Sequence, residues 1–126
     1  MHGLRIKDLV SQGFLACDLR DFLALLGDAA RPLQWRVSGD VWATGERSEE
    51  LESLADSGEC VSNDVLTELA RAVSQVVDGE FVGYQPGDDA PWVIIRAIDS
   101  SFYEFFCREP SVLQRTRDRF VEVTDC

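Results

Sequence analysis

The stretch Trp92–Cys107 constrains the fold more than any other part of the chain. It reads as Trp92–Ile98, then Asp99-Ser100, then Ser101–Cys107: two apolar runs around a two-residue joint. β-Branched and aromatic side chains favour strands, and Asp and Ser tolerate a tight turn of type I′. The expected hairpin sets Ala97 opposite Phe102, Arg96 opposite Tyr103, Ile94 opposite Phe105 and Val93 opposite Phe106. Both of its faces are largely apolar. Such a hairpin belongs at the centre of a sheet, covered on both sides, or on one side with a partner on the other.

Other signals surround it. Residues 4–17 fit a helix no better than a short strand. Asp18 is placed to cap a helix carrying Leu19, Phe22, Leu23 and Leu26, with Asp21 as its carboxylate partner and Gly27 as its stop. Trp35 and Val37 alternate, whereas Trp42 and Thr44 lie on the other parity. A tight turn at Gly39-Asp40 reconciles them by pairing Val37 with Trp42; a bulge at Gly39 does so as well, and the hairpin is the preferred reading. Ser48 is expected to cap a short helix ending at Gly58. Ser62 is expected to cap another, whose stripe is Leu66, Leu69, Ala70, Val73 and Val77. Asp78-Gly79 reads as a turn into a strand over 81–84, and residues 85–91 as a polar loop. Pro110 opens a last helix with Val112, Leu113, Thr116 and Phe120 on its apolar face, and residues 121–123 read as an edge strand.

With 126 residues and 45% hydrophobic side chains, the chain has material for one packed core. Helices and strands come in segregated groups. The expectation is a single α+β domain over 1–126, an antiparallel or mixed sheet with helices packed on it. No apolar run is long enough for a transmembrane helix, and the start lacks the layout of a secretion signal, so a cytoplasmic protein is expected.

The charge is unevenly spread. Between Asp40 and Asp89 stand thirteen carboxylates against Arg47 and Arg71, a balance of −11, while the rest of the chain cancels. Confined to fifty residues, this charge predicts one electronegative surface. Such a field repels nucleic acid and anionic membranes and attracts a basic protein. Trp42 within the segment, and Trp35 and Tyr84, offer desolvated anchor area among the acids. The residues expected to bind the partner are Asp40, Trp42, Glu46, Glu49, Glu50, Glu52, Asp56, Glu59, Asp88 and Asp89. Arg108, Arg115, Arg117 and Arg119 gather around the last helix, where pairing with internal acids is the simplest role. The pattern also allows a homodimer, this positive end meeting the acidic band of a second copy.

Little points to catalysis. His2 is the sole histidine, which leaves no Ser-His-Asp or Cys-His arrangement, and no phosphate-cradling glycine loop is present. Cys17, Cys60, Cys107 and Cys126 are too scattered for a zinc site. Asp78, Glu80, Asp88 and Asp89 lack the ladder of a calcium loop. No cofactor, metal or catalytic residue is assigned.

The segment from Asp78-Gly79-Glu80-Phe81 through Pro91-Trp92-Val93-Ile94-Ile95-Arg96 and Asp99-Ser100-Ser101 to Phe120-Val121-Glu122-Val123 resembles the close of several small bacterial immunity proteins. That resemblance implies a compact acidic α+β domain that binds and neutralises a toxin, often a basic nuclease. Eleven arginines against one lysine fit a GC-rich bacterial genome. The reading is therefore a non-enzymatic module whose acidic surface occludes a basic protein partner. The alternatives are a small-ligand or regulatory domain, with a pocket lined by Trp35, Trp92 and Phe102, and a carboxylate-dependent hydrolase using two converging acids.

Overall fold

The computed structural model describes residues 1–8 and 15–126. Seven strands and four helices follow the order β1 (Gly3–Ile6), α1 (Leu19–Leu26), β2 (Gln34–Gly45), α2 (Ser48–Ser57), β3 (Cys60–Ser62), α3 (Asn63–Ala72), β4 (Val73–Tyr84), β5 (Val93–Ile98), β6 (Phe102–Cys107), α4 (Pro110–Arg119) and β7 (Val123–Asp125). The strands form one antiparallel sheet in the order β3-β2-β4-β5-β6-β1-β7. This is the α+β architecture the sequence implied. The ambiguous first segment contributes β1; its Leu9, Val10 and Phe14 lie outside the described residues.

Helix boundaries follow local chemistry. Asp18 and Asp21 close a complete capping box on α1, and Gly27 ends that helix with φ 55°. Ser62 accepts a hydrogen bond from the Val65 amide at the start of α3. Ser48 does not cap α2. Arg47 holds that position in a left-handed conformation, and its guanidinium forks onto Glu50 through two 2.9 Å bonds.

Three expectations fail where tertiary pairing overrides local pattern. β2 is one twelve-residue strand with an irregularity between Ser38 and Trp42, so the expected hairpin is instead a bulge, with Gly39 at φ 81°. Val73 and Val77 do not extend α3. β4 begins at Val73, because the far half of β2 supplies a strand partner, with Gly45 opposite Val73 and Ala43 opposite Val76. Valine is a weak helix former, and a paired strand suits it better. Asp78-Gly79 is consequently mid-strand rather than a turn.

The hairpin β5–β6 forms, and Asp99 and Ser100 both take positive φ. Its register is one residue from the expected one: Ile98 opposes Phe102, Arg96 opposes Glu104 and Val93 opposes Cys107. A one-residue slip exchanges every pairing between faces. Ala97, Ile95 and Val93 therefore share the core face with Tyr103, Phe105 and Cys107, all buried. The final strand also shifts, to Val123–Asp125, leaving Val121 94% exposed.

All four helices contribute to one core on one side of the sheet. Phe22 packs its ring against Tyr103, Phe105 and Phe120, at centroid separations of 4.8, 5.5 and 5.2 Å. Leu51 of α2, Leu66 and Leu69 of α3, and Val112 and Leu113 of α4 join Trp35, Val37, Phe81 and Ile95 there. Among the described residues no helix covers the opposite face.

Candidate functional site

The acidic segment folds as a unit. Strands β2, β3 and β4 are neighbours at one end of the sheet, and α2 and α3 connect them. A block contiguous in sequence thus becomes one half of the molecule, and its charge goes with it. Helix α2 leaves the far end of β2 at Gly45 and returns to β3, which pairs with the near end at Gln34–Arg36. Ten helical residues cover about 15 Å. Along that run Leu51 is buried, while Glu49, Glu50 and Asp56 point outward and Glu52 is half-buried. Glu46 precedes the helix and Glu59 follows it, both exposed.

Asp40 lies in the irregular part of β2, and Trp42 just beyond it, opposite Asp78. Ala43 points into the core, so Trp42 faces away from it, 56% exposed. An exposed tryptophan is uncommon on a folded surface, because its large apolar area gains most from being covered. Trp35, by contrast, is fully buried, and its indole N–H donates to Asn63 Oδ1 at 3.1 Å. It is a core residue rather than an anchor.

Asp88 and Asp89 stand apart from Asp40 and Trp42, in the loop beyond the other end of β4. They line a cavity of about 490 Å³ with Gln34, Arg36, Cys60 and Tyr84. The structure thus strings Glu46, Glu49, Glu50, Glu52, Asp56 and Glu59 along α2 and its flanks, sets Asp40 and Trp42 on the adjoining strand with Trp42 on the helix-free face, away from α2, and places Asp88-Asp89 near the β3 end.

Internal cations neutralise part of the band. Arg47 holds Glu50 at 2.9 Å and Glu68 at 3.3 Å, Arg96 holds Glu80 at 2.6 Å, and Arg108 holds Asp88 at 3.2 Å. The Arg47 fork keeps the Glu50 carboxyl below its usual range. The Ala90 amide does the same for Asp88, helped by Arg108. The other nine acids of the band have no cation within 4 Å among the described residues; Asp40, Glu46, Glu49, Glu52, Asp56, Glu59 and Asp89 are among them. The cations near α4 are mostly engaged: Arg117 pairs with Asp125, Arg115 donates to the Leu25 carbonyl, and Arg119 lies over Phe120.

The alternative sites fare differently. Trp35 and Phe102 lie on opposite faces of the sheet, so they do not line one pocket with Trp92. Two carboxylates do meet at a cleft of about 320 Å³: Asp18 and Asp21, beside Cys17, Thr44 and Ser74. Both are spent on structure. Asp18 accepts from the Leu19 and Val76 amides and from the Tyr103 hydroxyl, and Asp21 accepts from the Asp18 amide. Burial, with Asp8, Asp21 and Asp18 nearby, pushes the Cys17 thiol up to about 12, which makes it a poor nucleophile. Asp78 and Glu80 sit within β4 while Asp88 and Asp89 lie past its end, so the four do not gather around one point. Among the described residues no group of three or more His, Cys, Asp or Glu is arranged to hold a metal ion. No described helix is long and apolar enough to cross a membrane.

Sequence reading missed two features. One is a cleft of about 590 Å³ between α1 and α3 that collects Arg20, Arg31 and Arg71 together with Asp64 and Glu68. The other is a row of charges across the helix-free face of the sheet. The alternation of Arg5, Glu80, Arg96 and Glu104 with core positions was visible, but only the correct strand order and register align them.

Comparison with family models, with curated proteins and with solved structures found no match.

Proposed function

We propose that this protein is a non-enzymatic binding module that uses its acidic half to occlude a basic protein partner, with a toxin domain as the partner class. The supporting observation is the run of unpaired carboxylates along α2 and its flanks, with Asp40 and the exposed Trp42 on the adjoining strand β2. Unpaired acids steer a cationic partner into encounter, and the indole supplies apolar area that becomes desolvated on docking. Inhibition would be steric and electrostatic, with no bond broken. The same field disfavours nucleic acid and anionic membranes as partners.

The test is a low-salt capture from native-host lysate, using the wild-type chain and a Glu49→Lys/Glu52→Lys/Asp56→Lys variant as baits. A cationic protein retained by the first and lost by the second is the expected result. Equal recovery by both baits, or recovery of no cationic protein by either, overturns the reading.

A further inference from the structure

The helix-free face of the sheet carries an ordered pattern. Glu80 of β4 lies directly opposite Arg96 of β5, Arg96 opposite Glu104 of β6, and Glu104 opposite Arg5 of β1. Directly opposed residues share a face, so these four side chains form one row across four adjacent strands. The row is ion-paired along its length, hydrogen-bonded from Arg96 to Glu80 at 2.6 Å and from Arg5 to Glu104 at 3.1 Å, with Arg96 and Glu104 at 3.9 Å. Its sign alternates, and its net charge is zero. Apolar rows flank it, with Val82, Ile94 and Phe106 on one side and Ile98 and Phe102 on the other. Arginine planes lie over the rings, Arg96 at 5.2 Å from the Phe106 centroid and Arg5 at 4.4 Å from that of Phe102.

We infer that this face docks a second copy of the same chain, forming a two-fold sandwich of sheets. A row reading acid, base, acid, base becomes its own complement when reversed about its midpoint. A two-fold axis along the strands, between β5 and β6, sets Glu80 against Arg5 of the second copy and Arg96 against Glu104. The same axis lays Ile94 over Phe106 and Ile98 over Phe102. A two-fold interface must be self-complementary in this manner, and aligned sheets pack with their strands within about 30° of each other.

Charge selects the occupant. A chain of net −11 repels its own copy everywhere except where local charge cancels. The row is such a place, although Asp40 and Asp78 border it beside Ile98, and it leaves α2 and its carboxylates outside the contact. Three strands on each side of the axis overlap, β5 on β6, β4 on β1 and β2 on β7, and at about 4.8 Å spacing and about 3.3 Å per residue they present on the order of 400 Å² per copy, in the range of weak, transient contacts. A reversible dimer is therefore expected.

Sedimentation velocity on the full chain, over a concentration series to about 200 µM at about 0.15 M salt, reads the equilibrium. The wild type is expected to dimerise within that range. Arg96→Glu sets two carboxylates against each other across the axis and is expected to weaken the dimer at least about 10-fold. Adding Glu104→Arg restores opposite charges between copies, although within each copy it leaves Glu80 beside the new acid and Arg5 beside the new base. Recovery of most of the affinity in the double variant is expected, and a role confined to the single chain would not produce it. If circular dichroism shows either variant unfolded, Ile98→Lys supplies the loss and Val65→Lys, on exposed α3 surface, the unchanged control. A wild type that stays monomeric throughout overturns the inference. So does a dimer indifferent to Arg96→Glu and Ile98→Lys, and so does a folded double variant that regains nothing.

Discussion

The Tyr103 hydroxyl donates to the Asp18 carboxylate at 2.7 Å, joining residues 85 positions apart. The same carboxylate caps α1 through the Leu19 amide at 2.7 Å and receives the Val76 amide at 3.2 Å. One buried side chain thereby ties α1, β4 and β6 together. A buried charge without such donors is costly, and each donor offsets part of that cost. Burial, with the Asp18 charge beside it, pushes the Tyr103 hydroxyl well above its ordinary range, so it remains protonated and donates. Tyr103→Phe is expected to destabilise the fold by about 1–3 kcal/mol. Asp18→Ala, which also loses the cap and orphans the Val76 amide, is expected to cost more. Urea unfolding of the two variants checks the order; equal stability to wild type in both contradicts the account.

Thiol reactivity should divide by burial. Cys17 and Cys107 are buried, and desolvation is the main cause raising both, Cys17 to about 12. Cys60 and Cys126 are exposed, though partial desolvation raises Cys126 as well. Alkylation of the native protein at mildly alkaline pH, followed by peptide mass spectrometry, is expected to modify Cys60 first and Cys126 next. Cys17 and Cys107 are expected to react only on unfolding.

Acid sensitivity has a definite sign. Arg47 lowers the pKa of Glu50, and Arg117, with His2 helping, lowers that of Asp125. A carboxyl with a depressed folded pKa contributes stability that is present above its unfolded value and is lost as pH falls through the folded one. The stability gap between wild type and Arg47→Met, measured by urea unfolding, should therefore be full above about pH 5 and close toward pH 2. A gap that widens on acidification would be inconsistent with these pairs. The pairs are exposed, so the gap is expected to be small throughout.

Two glycines in β2 should respond differently to alanine. Gly39 sits at φ 81° with open space around it, so Gly39→Ala carries only the left-handed backbone cost of about 1–2 kcal/mol. Gly45 sits at φ 94°, and a Cβ there would lie 2.5 Å from the Ser74 backbone nitrogen. Gly45→Ala is expected to be the more damaging of the two, because β4 must also move. Comparison of their thermal midpoints checks this.

Local chemistry was the legible part of the sequence. Asp18, Asp21 and Ser62 announced their helices because a cap is settled within four residues, and Pro110 did likewise. The β5–β6 hairpin showed itself through composition, yet its register depended on one turn residue, Ser101, whose amide closes onto the Ile98 carbonyl at 2.8 Å. Val73 and Val77 were misread because their spacing suits a helix as well as a bulged strand. Only β2, nearly thirty residues earlier, decides between them. The carboxylates of α2 could be named from sequence, and their gathering followed from the contiguity of the block. That Asp88 is held by Arg108 could not be read, since the contact spans a loop and a sheet. The split between Trp35 and Trp42, one fully buried and one exposed, is by contrast what their opposite parity gives once β2 runs as a single strand.

Strand β1 lies between β6 and β7, so its two neighbours are residues 103–106 and 123–125. A ribosome releases β1 well before either of its partners. Until β6 emerges this strand, with its buried face of Leu4 and Ile6, has no sheet to join, and the half formed by β2, β3 and β4 can assemble before it does. Premature termination upstream of β6 would thus release a polypeptide with Leu4 and Ile6 uncovered, a natural target for chaperones and proteases.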